Sequence, residues 1–122
     1  MRIEADEPCP LPDDPVLAEW AAVMCETGDW GWIVDARWNL LYMTDAQRYS
    51  FAAGVERVPL VVDEHVFGPN MVALSAAWRT GPTMASSWRE LFRDAGGLVL
   101  TDTPGGRAEL ESLVDPSLAD LI

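Results

Sequence analysis

The sequence predicts an α+β domain, and three observations carry that reading. The stretch Trp30–Met43 reads as two short apolar strands about a polar turn, which makes a hairpin rather than a parallel crossover unit. Segments of helical periodicity stand before and after it. At 122 residues with 49% apolar content, the chain fits one domain with a real core rather than a disordered one.

Residues 1–14 are acidic and interrupted by Pro8, Pro10 and Pro12 without periodicity, so a flexible leader is expected ahead of a single domain over 15–122. Asp13 or Asp14 before Pro15 is a helix start, because a carboxylate accepts the orphan N–H groups and proline suits the first helical position. Val16, Leu17, Trp20, Val23 and Met24 form one apolar face, and Gly28 is the cap.

Trp30–Val34 is nearly all apolar and reads as a strand. Asp35–Asn39 is the turn, since aspartate and asparagine side chains close backbone turns, and Leu40–Met43 is the return strand. Thr44 and Gln47 form a capping-box pair that opens a short helix over 45–53, ended by Gly54. Val58–Val62 is β-branched, but Pro59 limits it to an edge strand or extended connector.

Pro69 starts another helix with Met71, Leu74 and Trp78 on one face. After Gly81–Pro82, Met84, Trp88, Leu91, Phe92 and Ala95 continue as a second helix, which makes a helical hairpin. Gly96–Gly97 is a stop, and Leu98–Thr101 is expected as a buried strand that joins the first hairpin. Asp102–Gly106 is a turn before a short helix over 107–114 with an Arg107–Glu111 pair, and Asp115–Pro116 opens a last helical turn.

The net charge of −12, with no lysine, makes approach to nucleic-acid phosphates repulsive and disfavours anionic membranes. Neither a bilayer-spanning run nor a signal-peptide pattern is present, so a cytoplasmic location is expected. Cys9 and Cys25 are too few for a disulfide scaffold or a zinc knuckle, and Cys25 reads as a small buried hydrophobe.

No motif carries catalysis, so a non-enzymatic protein is expected. Asp63-Glu64-His65 reads as solvated loop, because adjacent residues on an extended segment alternate faces and a zinc site wants more ligands. Asp102–Gly106 lacks the phosphate-loop pattern, and Ser75, Ser86 and Ser87 have no nucleophile context.

The aromatic residues are more informative. Core packing is one reading of them; the other is an apolar ligand site lined by Trp32, Trp38, Tyr42, Phe67, Trp78 and Trp88, with Met43, Met71 and Met84 as an adaptable wall.

The order helix, Trp32–Thr44, short helix resembles the opening of a PAS domain. Leu17–Trp20, Asp35–Trp38, Tyr42–Asp45, Phe67–Pro69, Trp78-Arg79, Ala95 with Leu100–Leu110, and Leu113–Pro116 are similar to N-terminal regulatory regions of actinobacterial adenylate/guanylate cyclase-type proteins. The resemblance implies a PAS-like sensor attached to, or descended from, a class III nucleotide cyclase. Its expected sheet is a small antiparallel one, the N-terminal hairpin plus one later strand, shortened relative to five strands and covered by several short helices. It carries no catalytic residues, and no residue here matches a motif that selects haem, flavin or another cofactor.

Two functions follow as expectations. The first is a regulatory PAS-like domain that binds a small apolar or aromatic ligand or a protein partner. The second is an acidic protein–protein interaction module with no ligand. Leu113, Leu118, Leu121 and Ile122 suggest a homodimer contact.

Overall fold

Asp14 and Gly28 bound the first helix as the sequence predicts. In this computed structural model, which describes residues 1–51, 56–74 and 87–122, α1 spans Pro15–Thr27. The Asp14 carboxylate accepts from the N–H groups of Val16 (2.9 Å) and Leu17 (3.1 Å). Gly28 takes the left-handed conformation, φ 69°, that lets its N–H return to the last turn.

The hairpin also forms where expected. Strands β2 (Trp32–Val34) and β3 (Leu40–Met43) pair antiparallel, with Trp32 opposite Met43, Ile33 opposite Tyr42 and a bulge before Val34. Helix α2 (Asp45–Phe51) follows, and the Gln47 N–H donates to Thr44 Oγ1 at 3.3 Å. The rest of the expected helix, with its stop at Gly54, lies outside the described residues.

The leader is packed rather than loose. Arg2–Ile3 is strand β1, paired antiparallel with β4 (Leu60–Val61), and both Ile3 and Cys9 are buried. The anchor is Arg48, fully buried on α2, whose guanidinium donates to the carbonyls of Val58 (3.0 Å), Glu7 (2.6 Å) and Glu4 (3.0 Å). Composition alone hid this, because a short extended segment needs only a few apolar side chains and outside donors to dock.

The edge strand expected around Pro59 is therefore real but pairs with the N-terminus, not with the hairpin. Past it, the chain turns along β3: Asp63 N–H donates to the Leu40 carbonyl (2.7 Å), Leu40 N–H to Glu64 (2.9 Å) and Val66 N–H to Trp38 (2.9 Å). The 60–66 segment thus links the two ribbons.

Helix α3 is Pro69–Leu74. The expected joint at Gly81–Pro82, with Trp78 and Met84, lies outside the described residues. Helix α4 runs over Ser87–Thr101, through Gly96 and Gly97, so the stop and the strand expected at 98–101 are both absent. Trp88, Phe92, Ala95 and Val99 recur at helical spacing and face the core, whereas Leu98 and Leu100 are exposed. A buried face sustained past two glycines outweighs their cost of about 1 kcal/mol each.

Helix α5 (Gly106–Leu113) carries the expected Arg107–Glu111 pair at 3.2 Å. A 3₁₀ helix, Pro116–Leu121, closes the described chain, capped by Asp115 and held to α4 by a two-pronged Arg89–Asp120 ion pair at 2.8 and 3.0 Å. Leu118 is buried against the core instead of being presented to a second chain. The protein is mixed α+β with two small antiparallel sheets. Among the described residues no helix is long and apolar enough to cross a membrane.

Candidate functional site

The Asp35–Asn39 turn sets the geometry of the first aromatic group. The Asp35 carboxylate accepts from the Arg37 and Asn39 N–H groups, each at 2.9 Å, and from the Asn39 amide at 3.1 Å. Partial burial pushes this carboxyl up, but the bonds from Asn39 and Arg37 outweigh it and hold it below the usual aspartate value. Within this turn Trp38 adopts φ 66°, a left-handed conformation uncommon for a bulky side chain. Its ring is held from two sides: Nε1 donates to Asp102 at 2.8 Å, beyond the end of α4, and the ring lies 6.4 Å from Phe67.

Phe67 is the centre of this cluster. It meets Phe92 edge-on at 4.9 Å, Trp88 edge-on at 5.9 Å and His65 at 6.1 Å. Such pairs contribute about 0.5–1.5 kcal/mol each beyond their area. Phe67, Trp88 and Phe92 are buried, and Trp38 is half-buried.

Of the six residues expected to line a ligand site, Trp38, Phe67 and Trp88 come together here. Trp32 and Tyr42 sit on the hairpin strands without a described ring contact to the cluster, and Trp78 lies outside the described residues. Tyr42 is buried and hydrogen-bonds to the Cys25 thiol on α1. Burial and that thiol push the Tyr42 hydroxyl well above the usual phenol value, so it stays protonated. Cys25 is exposed on α1, which corrects the expectation of a buried thiol, even though its sulfur is bonded to the hydroxyl of the buried Tyr42. Cys9 is the buried one, and burial raises its thiol.

His65, expected in solvated loop, is also buried. Its Nδ1 accepts from the Phe67 N–H at 3.1 Å, which places the proton of the neutral ring on Nε2. Among the described residues Nε2 has no hydrogen-bond partner. Burial lowers the pKa of the imidazole, with Asp35 acting weakly in the other direction. This burial is not legible from residue type or spacing, because it depends on the 63–66 segment lying along β3, with His65 bridged to Asn39. Among the described residues no group of three or more histidine, cysteine or carboxylate side chains is placed to hold a metal ion.

Four open pockets among the described residues lie elsewhere. One groove of about 280 Å³ has Leu11, Leu17, Leu41 and Val62 in its walls and Asp13, Asp14 and Asp63 around it. Two wider ones, of about 470 and 450 Å³, lie against Tyr49 and Arg57 and against Asn70 and Leu74, and a small one of about 150 Å³ lies beside Phe92 and Leu110. None of these four is lined by any of the six expected residues.

Sequence reasoning missed the outward face of α1. The helix turns Ala21 and Met24 inward and Leu17 toward the groove, while Val16, Trp20 and Val23 are 56%, 61% and 52% exposed. At about 100° per residue these apolar positions cover an arc of roughly 160°, wider than one core contact needs. That width was the available signal. Compared with family models, with curated proteins and with solved structures, the chain has no match.

Proposed function

We propose that the domain is a non-enzymatic interaction module that docks a basic protein partner through an acidic surface. The supporting observation is the disposition of its cations. Arg48 is buried, Arg57 pairs with Asp45, Arg89 with Asp120, Arg107 with Glu111 and Arg2 with Glu4, while the sequence carries 20 carboxylates against 8 arginines. Five of the eight arginines are thus engaged within the fold, which leaves the carboxylate excess on the surface, and such a field steers oppositely charged partners. The packing of Phe67, Trp88 and Phe92 against one another is consistent with a structural role for these rings.

Native mass spectrometry and an absorbance spectrum of the purified protein test this. The expected result is the bare chain mass with no visible band, together with binding to a basic partner that weakens steeply as salt rises. A co-purifying small molecule would overturn it.

A PAS-like sensor is the second reading, favoured by one observation: the unpartnered Nε2–H of His65 beside Phe67 is a donor that a small ligand could satisfy. In that reading Trp38, Phe67 and Trp88 contact the ligand, and the domain regulates an effector such as a nucleotide cyclase. A ligand in the native mass spectrum that is lost in a His65→Phe variant would establish it.

A further inference from the structure

We infer that the outer face of α1, continued into the groove at its N-terminal end, is the docking surface for a basic amphipathic helix of a protein partner; this rests on the interaction-module reading and locates its site. Val16, Trp20 and Val23 follow at helical spacing, so their exposed side chains form a stripe about 10 Å long. Leu17, three residues before Trp20 and therefore its neighbour on the helix surface, lines the groove with Leu11 and Leu41. The stripe and the groove are thus continuous. Single exposed apolar residues need no explanation, but a contiguous row headed by a tryptophan marks a binding surface.

Charge selects the occupant. Helix α1 contains no basic residue; Glu19 and Glu26 flank the stripe, and Asp13, Asp14 and Asp63 border the groove. Asp14 is engaged as the helix cap. Among the described residues the carboxylates of Asp13 and Asp63 have no hydrogen-bond or ion-pair partner, the Asp63 main chain alone being bonded to Leu40, so these carboxylates are available. A second copy of this chain would bring another −12 charge against these groups. A helix with apolar residues at i, i+3, i+4 and i+7 and arginine or lysine beside them fills the stripe and meets the carboxylates.

The probe is a fluorescently labelled synthetic helix of about 18 residues with leucine at those positions and arginine flanking them, and a scrambled peptide of the same composition as control. Binding is followed by anisotropy at low and moderate salt. The full chain is expected to bind the amphipathic peptide more tightly than the scrambled one. Trp20→Gln weakens that binding about tenfold or more, and the pair Asp13→Asn with Asp63→Asn weakens it several-fold. Circular dichroism of each variant confirms that α1 remains folded.

Undiminished binding by Trp20→Gln, or equal binding of the two peptides, overturns this location while leaving an acidic docking function intact. Failure of every basic peptide to bind at low salt overturns both. Self-association of the chain that Trp20→Gln abolishes shows that a second copy occupies the stripe, and that also overturns the inference.

Discussion

Arg48, with no solvent-exposed surface, donates from Nη1 to the main-chain carbonyl of Glu7 across 2.6 Å. The same guanidinium serves Glu4 and Val58, so one side chain ties the N-terminal segment, α2 and the approach to β4 together. The two-residue ribbon of β1 and β4 is too short to be stable by itself. This cation supports it, together with the reciprocal Met1–Val62 bonds at 2.8 Å and the burial of Ile3.

Replacing Arg48 with methionine keeps the aliphatic bulk and removes the guanidinium donor from three carbonyls, of which that of Glu4 keeps only its bond from the Glu7 N–H. The expected loss is about 3 kcal/mol or more in urea unfolding, with the first residues becoming open to limited proteolysis. Arg48→Lys should recover only part of it, because an ammonium cannot present the planar fork that reaches carbonyls in different directions. An Arg48→Met protein with unchanged stability and an intact N-terminus would show that the ribbon is held by other contacts.

Across the hairpin, Trp38 and Asp102 join elements far apart in the chain, at 2.8 Å. The left-handed backbone at Trp38 costs on the order of 1–3 kcal/mol for a non-glycine residue, which the ring packing and this bond help to offset. A double-mutant cycle of Trp38→Phe with Asp102→Ala should give a coupling of about 0.5–1.5 kcal/mol. Simple additivity would show that the bond contributes nothing in solution.

Local chemistry made much of the fold legible. Asp14-Pro15 and Gly28 fixed both ends of α1, Asp35 and Asn39 closed the turn, Thr44 capped α2, and the Arg107–Glu111 spacing marked α5. Features decided by distant contacts were not legible. His65 and Arg48 look solvated by residue type, yet both are buried because a segment from elsewhere in the chain lies over them. The described members of the aromatic set chosen as one site, Trp32, Trp38, Tyr42, Phe67 and Trp88, divide for the same reason: residue type ranks them as large and apolar but does not say which share a face. At α4, glycine propensity pointed to a stop where tertiary packing of Phe92 and Val99 continues the helix.

That helix offers a direct test. A side-chain methyl at Gly97 meets no atom within 4 Å, and one at Gly96 would lie 3.9 Å from Phe92, an ordinary contact. In a helix, Gly97→Ala should therefore stabilise the protein by about 0.5–1 kcal/mol, because alanine loses less backbone entropy on folding. Thermal unfolding followed by circular dichroism measures it. If residues 96–101 were instead a glycine stop and a strand, as local propensity suggests, the substitution would not increase helix signal or raise Tm.

His65 makes stability depend on pH. Its folded-state pKa lies below the ordinary imidazole value of about 6.5, because burial disfavours the charged ring. The unfolded chain then binds a proton that the folded chain resists, so acidification favours unfolding. The full contribution is present above the unfolded value and is lost as pH falls from there toward the folded pKa, at up to about 1.4 kcal/mol per pH unit. Asparagine at this position offers an oxygen near the place of Nδ1 to accept the Phe67 N–H, and it does not titrate. Between about pH 7.5 and 5, the unfolding free energy of the native chain should drop more than that of His65→Asn, a range above the ordinary carboxylate values near 4. Parallel curves for the two proteins over that range would mean that His65 is as free to protonate when folded as when unfolded, and would remove the burial argument for its neutral ring.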